Sequence, residues 1–162
     1  MKKFFFLVAL FVSSFGFSQA ANNYKYAIVP SKFSFLKEAD QYKLNTLTKM
    51  FMEKYGFITY FDTDILPKEV ANENCNKVYV DVLSNGSLFT TKLTVLLKDC
   101  RNNIFFKSVE GKSPEKSYQK AYNHSLREAF YSFEKLAYKY NGKSTDSETA
   151  VVKTSVINFP LR

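Results

Sequence analysis

The sequence predicts an α+β fold: a β-α-β-β-β-α two-layer sandwich, with a mainly antiparallel sheet and two helices on one of its faces. Three observations carry that expectation. Val78, Val80 and Val82 share one face of a run that a polar tip joins to a second run, where Leu93, Val95 and Leu97 share a face; this is the pattern of a hairpin buried on one side. A long stripe near the carboxy terminus, Tyr118, Ala121, Tyr122, Leu126, Ala129, Phe130, Phe133, Leu136, Ala137 and Tyr140, has helical spacing and needs such a surface to lie on. A shorter stripe of Leu44, Leu47, Phe51 and Tyr55 marks another amphipathic helix.

Taken in order, Tyr24 to Val29 alternates as a strand and stops at Pro30. The first helix is predicted from about Asp40 to Tyr55, with Gly56 as its left-handed cap. Phe57 to Phe61 is a short aromatic and β-branched strand, and Pro67 to about Asn72 suits a helical turn or two, with proline at the first position. The hairpin strands are Val78 to Leu83 and Leu88 to Leu97, around Ser84, Asn85, Gly86 and Ser87. A further strand runs from Asn103 to Val109. The last helix is predicted to begin at Ser113 as N-cap, with Pro114 and Glu115 in its first turn, and to end before Gly142. With helices packed on one face of the sheet, the architecture is two layers.

The amino terminus reads as a secretory signal covering residues 1–20. Lys2 and Lys3 precede an apolar run from Phe4 to Val12, and small residues follow. The run falls short of the about 20 apolar residues that cross roughly 30 Å of hydrocarbon. Ser18 and Ala20 fit the small-x-small rule, so cleavage is expected after Ala20, with a cut after Ser18 as the alternative. No cysteine precedes Cys75, which excludes a lipid-modified cysteine at the cleavage site. Residues 21–140 then form one α+β domain, a size that suits a single core. Residues 141–149 are polar and 151–161 more apolar; 141–162 is expected to be a disordered tail. The expected location is secreted or periplasmic, with no membrane span once the signal is gone.

Net charge is +8, and the signal holds two lysines and no acid. That balance favours anionic partners, although interleaved lysines more often simply solvate a surface. Export argues against nucleic acid.

Cys75 and Cys100 flank the hairpin in a chain bound for a compartment where disulfides persist. A tight turn at Asn85-Gly86 would leave Cys100 roughly 13 Å along the strand from Cys75's partner position, beyond the ~7 Å between α-carbons that a bridge tolerates. A register centred between Ser87 and Leu88 sets Cys75 opposite Cys100 and Val78, Val80 and Val82 opposite Leu97, Val95 and Leu93. That register, a wider tip and a disulfide are therefore expected, the bridge being worth roughly 3 kcal/mol. Two cysteines this far apart and a single histidine give no metal-ligand spacing. No metal and no cofactor are expected.

His124, the lone imidazole, falls nearly opposite the apolar stripe and reads as a solvated helix residue. Asp62 and Asp64 follow a strand end, where turn chemistry is the commoner role of short acids. Gly111-Lys112-Ser113 ends like a phosphate loop but lacks the earlier glycine, and reads as a turn plus N-cap. Asn85-Gly86-Ser87 and Asn123-His124-Ser125 match glycosylation sequons. One surface stands out. The sheet face opposite the helices is expected to carry Tyr79, Asp81, Lys92, Thr94 and Lys98, aromatic and charged groups on a rigid support suited to an acidic or glycan-like partner. Lys25 and Lys107 are not assigned to a face.

Tyr24-Lys25-Tyr26-Ala27-Ile28-Val29-Pro30, Gln41 to Asn45, Phe89 to Thr94 and Gly111-Lys112-Ser113 resemble a group of small secreted proteins of Bacteroidota. The element order is similar to that of the amino-terminal domain of the periplasmic Tol-system propeller protein and related envelope-assembly modules. The resemblance brings no assigned activity and no catalytic residue to carry over; the signal, the lack of a catalytic constellation and the polar sheet face instead lead to the expectation of a non-enzymatic, envelope-associated or secreted binding module, its partner an envelope protein or a glycan. Two alternatives stand beside it: a hydrolytic enzyme using Asp62, Asp64 or Asp81, which requires a pocket gathering at least two of them, and a basic surface for an anionic polymer. Oligomeric state does not follow from composition.

Overall fold

The computed structural model describes residues 20–142 apart from residue 74; most of the signal and of the tail expected above therefore lies outside the described residues. Eleven regular elements line up along the described residues. They are β1 (Tyr26–Val29), a 3-10 turn (Gln41–Lys43), α1 (Leu44–Lys54), β2 (Ile58–Phe61), α2 (Lys68–Ala71), β3 (Lys77–Ser84), β4 (Thr91–Lys98), β5 (Ile104–Lys107), β6 (Gly111–Ser113), α3 (Tyr118–Phe130) and α4 (Ser132–Leu136). The class is α+β, and six strands make one sheet in the order β2-β1-β3-β4-β5, with β6 also on β4. The condensed order β-α-β-β-β-α is thus two strands short. β1 runs parallel to β2 and β3, while β4 is antiparallel to β3, β5 and β6.

Alternation along the strands sorts side chains to two faces. Ala27, Val29, Val78, Val80, Val82, Leu93, Val95 and Leu97 meet Leu44 and Met52 of α1 and Leu126, Ala129 and Phe130 of α3 in the main core. Phe133 and Leu136 of α4 complete it. The opposite face is covered at one end, where fully buried Val70 of α2 packs with Tyr26 and Ile28, flanked by Tyr60, Leu66 and Tyr79.

The hairpin register differs from the expected one by two residues: Val80 lies opposite Leu97, Val82 opposite Val95 and Ser84 opposite Leu93. A slip of two leaves every side chain on its own face, so the apolar pattern does not separate the registers. The apex moves accordingly to exposed Leu88 and Phe89, closed by the Ser87 amide donating to the Thr90 carbonyl at 2.8 Å. The disulfide nonetheless forms, with 5.0 Å between the α-carbons of Cys75 and Cys100. Both cysteines lie beyond the ends of the paired strands, where the chain is free to turn inward.

The last helix begins later than Ser113. Gly111–Ser113 extends the sheet along the tip half of β4, and Ser117 becomes the N-cap residue. The reason is steric. A Cβ on Gly111 would lie 1.9 Å from the Ser125 carbonyl oxygen and 2.6 Å from the Ala129 nitrogen, so β6 runs backbone against backbone with α3. Polar groups stitch this seam: the Lys112 amide donates to Glu128 at 2.9 Å and the Ser125 hydroxyl to the Thr91 carbonyl at 3.0 Å. The helical run also stops sooner than Gly142, at Ala137 in the left-handed region (φ 45°). That turn sends Tyr138 back to stack on Phe57, with ring centroids 3.8 Å apart, and to donate its hydroxyl to the Tyr24 carbonyl at 2.7 Å. Gly56, at φ 101°, leaves room beneath the ring.

α1 is anchored by Asp40, whose carboxylate accepts from the Thr46 amide at 2.9 Å and the Thr46 hydroxyl at 2.7 Å. The chain reaches this position through left-handed conformations at Asp40, Tyr42 and Lys43, which explains why the helix starts four residues after its predicted beginning. Stacking of Phe35 and Tyr42 on Tyr122 fastens the loop to α3.

Two outcomes are expected. Gly111→Ala should destabilise the protein by about 3 kcal/mol or more, because backbone and not a pliable side chain must yield; a urea midpoint unchanged from wild type would refute the seam. Burial pushes the Tyr138 phenol up to about 12, with neighbouring Tyr140 adding to the shift. The unfolded chain thus loses that proton first, and stability present below pH 10 is lost as pH rises from about 10 to 12. Tyr138→Phe should remove part of this alkaline decline when urea midpoints are compared across that range.

Candidate functional site

A cleft of about 570 Å³ opens on the sheet face opposite the helices, lined by Ile28, Pro30, Lys32, Ser34, Asp62, Tyr79, Val80, Asp81, Lys98, Asp99, Cys100 and Asn102. Its volume lies within the roughly 300–1,000 Å³ of small-ligand sites. The cleft exists because β1 leaves the sheet at Pro30. Pairing between β1 and β3 ends at Ile28 and Tyr79, whereas β3 continues to Ser84, so β3 from Val80 onward loses its neighbour on that side. The loop after β1 contributes Lys32 and Ser34, the end of β2 contributes Asp62, and the turn after β4 contributes Asp99, Cys100 and Asn102.

Four of the charged side chains are positioned by local bonds. Lys98 donates its ammonium to Asp81 Oδ2 at 2.7 Å, and Asp81 Oδ1 accepts from the Val82 amide at 2.9 Å. This partly exposed pair is worth at most about 1 kcal/mol, and it serves orientation more than stability. Asp62 Oδ1 accepts the Ser31 amide at 2.7 Å, tying the exits of β1 and β2 together. Asp99 organises its turn: Oδ1 accepts the amides of Arg101 and Asn103 at 2.9 and 2.8 Å, and Oδ2 accepts the Asn103 side-chain amide at 2.9 Å. Burial works against the Asp99 charge, but the bonds from Asn103 and Arg101 outweigh it and hold the carboxyl below the usual 3.8.

The five residues assigned to the outer sheet face divide. Tyr79, Asp81 and Lys98 line the cleft. Lys92 lies towards the hairpin tip, 3.5 Å from the Glu110 carboxylate, and Thr94 is buried. Of the two acids after β2, Asp62 faces the cleft, whereas Asp64 accepts the Phe61 amide at 2.8 Å and closes the turn at the strand end. His124 is exposed on α3, 3.9 Å from Glu128. Lys25 lies 5.3 Å from the centre of the Tyr26 ring, and Lys107 is exposed at the end of β5.

Sequence reasoning missed Lys32, Ser34, Asp99 and Asn102. One signal was present, since Asp99 to Asn102 surrounds Cys100, and a disulfide there draws that turn to the start of β3. Among the described residues, no group of three or more histidines, cysteines, aspartates or glutamates is placed to hold a metal ion. No described helix is long and apolar enough to cross a membrane.

No family model matches the chain, and no curated protein matches it. Among solved structures it is similar to the PelC dodecamer from Paraburkholderia phytofirmans, with 13% identity and a TM-score of 0.44, over 72% of this chain and 90% of that one. A single-substitution variant of the same PelC dodecamer gives 11% identity and a TM-score of 0.45, over 72% and 91%.

Asp99 and Asp40 share a direction with pH. Burial raises the Asp40 carboxyl, but its bonds from Thr46 and the Lys43 charge more than compensate, and it too is held below 3.8. The unfolded chain takes up these protons first, so their stabilisation is present above about pH 4 and is lost as pH falls through the lowered folded values. Replacing both with asparagine should lower stability at pH 7 and flatten the fall between pH 4 and 2, measured by urea unfolding; an equally steep acid limb would refute the assignment.

Proposed function

We propose that this chain is an exported, non-enzymatic binding module of the cell envelope or its exterior, with the cleft beside the Cys75–Cys100 bridge as its ligand site. The observation that carries the reading is the convergence of Tyr79, Asp81 and Lys98 with Asp62, Asp99, Lys32 and Asn102 around a single preformed hollow. An aromatic wall with hydrogen-bonding groups of both signs suits a hydroxyl-rich or mixed-charge partner, such as a glycan or a protein segment. The amino-terminal signal pattern supports export, and a formed disulfide accords with an oxidising compartment.

The hydrolytic alternative keeps one observation in its favour, because Asp62 and Asp81 meet in the cleft. Both carboxylates, however, already accept from donors of the fold, Ser31 for the one and Val82 with Lys98 for the other. Asp99 is held towards its charged form, the opposite of what a general acid needs at neutral pH. An anionic-polymer surface draws less support. Lys92 and Lys112 both approach Glu110, and Lys98 pairs with Asp81.

The test uses immobilised protein and detergent-solubilised envelope, followed by identification of retained protein and glycan. Wild type should retain a component that Lys32→Ala combined with Asp62→Asn loses at least tenfold. Both positions are exposed, so the fold should persist. Retention of nothing, or equal retention by the variant, would remove the cleft from consideration. Turnover of chromogenic glycosides or esters, abolished by Asp62→Asn, would replace binding with catalysis.

A further inference from the structure

Among the described residues, one edge of β3 lies open beyond Tyr79, and the backbone there has a direction. Val82 lies opposite Val95 in the hairpin, but Val95 turns its groups to the far side: its amide donates to the Ser108 hydroxyl and its carbonyl accepts the Ser108 amide, both at 2.8 Å. Three residues after Val82, the Asn85 amide donates to the Lys92 carbonyl at 3.1 Å. Paired residues of an antiparallel ladder alternate between exchanging bonds and not exchanging them. Asp81 and Leu83 therefore face β4, whereas the amides and carbonyls of Val82 and Ser84 point to the other edge. β1 pairs along that edge as far as Tyr79, and Pro30 then leads the chain away. The Val82 amide is met instead by the carboxylate of its own neighbour, Asp81 Oδ1, at 2.9 Å. A side-chain acceptor stands where the carbonyl of a further strand would stand.

This edge starts at the cleft, where Pro30 and Val80 are both lining residues. Edge amides and carbonyls recognise the main chain of another extended segment, at the repeat of a strand. A glycan lacks that repeat. We propose that the cleft takes an extended peptide segment of a partner protein, which adds as a strand along β3 from Val80 to Ser84. A peptide carbonyl replaces Asp81 Oδ1 on the Val82 amide, and Asp81 keeps its Lys98 partner. On the cleft's side of the sheet, alternate peptide side chains lie beside Leu83, which shares a face with Tyr79 and Asp81 and is 37% exposed. The lining has three carboxylates, Asp62, Asp81 and Asp99, against the ammonium groups of Lys32 and Lys98. That excess favours a peptide with a basic residue.

Strand addition rests on the cleft being a ligand site, and one set of measurements separates the two. The protein is panned against a phage-displayed library of random linear peptides and, in parallel, probed on an array of bacterial glycans. Selected peptides are resynthesised with N-methyl groups on one or the other alternate set of amides. Affinity should fall about tenfold when the set facing β3 is methylated, and little when the other set is. Ser84→Pro makes the matching change in the protein. It removes an amide that points away from β4, where a strand tolerates proline, so the urea midpoint should stay near wild type while peptide affinity falls about tenfold. If that variant unfolds, the methylated series on wild type decides alone. Peptides indifferent to which set is methylated, or binding of glycan alone, overturn strand addition. In either case, loss of binding in the Lys32→Ala, Asp62→Asn variant leaves the cleft standing as the site, and retained binding removes it too. Binding of neither probe overturns both.

Discussion

The backbone contact between β6 and α3 at Gly111 is the constraint from which the remaining architecture follows. A helix carrying Leu126, Ala129 and Phe130 normally stands about 10 Å from a sheet, with side chains filling the gap. Here a side chain is absent at the one place where the strand passes beneath Ser125 and Ala129. The carboxy-terminal half of α3 settles onto the sheet there, and Phe130 and Phe133 pack just beyond, beside Phe51, Tyr55 and Phe106. Past α4, the left-handed turn at Ala137 carries Tyr138 and Asn141 to the amino-terminal segment.

With both long helices committed to one face, α2 is the helix that covers the other among the described residues. Val70 shields the Tyr26, Ile28 and Tyr60 end, and the buried Lys77 ammonium holds α2 down by donating to the carbonyls of Val70 and Glu73. Burial lowers the Lys77 pKa against the opposing pull of the Glu73 charge, a cost accepted where it closes the end of a one-turn helix. Beyond that cover the sheet is open, and the cleft lies there. Its position is a remainder of packing: β1 ends at a proline, β3 does not, and the bridge at Cys100 brings the Asp99 turn across the opening.

The sequence announced its faces more clearly than its registers. Alternation in Val78 to Val82 and Leu93 to Leu97 specifies which side chains point to the helices, and the structure honours every one of them. Alternation is silent about slips of two, and the wish to set Cys75 directly opposite Cys100 selected the wrong register; a disulfide needs α-carbon proximity, which two turns supply as well as two paired strands. Ser113-Pro114-Glu115 misled for a related reason. It is a sound helix start locally, but β4 needed a partner near its tip and Gly111 had no side chain to keep the strand away. Of the cleft, the strand residues Tyr79, Asp81 and Lys98 were legible because strands have a period. Lys32, Ser34 and Asn102 come from loops, which have none.

The chemistry of the cleft follows from this division of labour. Residues inherited from the sheet are rigid and already bonded to one another, as Asp81 is to Lys98, and they present a fixed pattern of donors and acceptors. Those inherited from loops, Lys32 and Asn102, extend the pattern over the rim. Rigid, mutually neutralised groups recognise shape and hydrogen-bonding geometry at small entropic cost; a catalytic acid or base requires the reverse, a group whose proton affinity its surroundings have displaced towards working pH. The proton affinity of Asp99 is displaced away from that pH by the bonds that shape its own turn. It is this arrangement on which the proposed binding role rests.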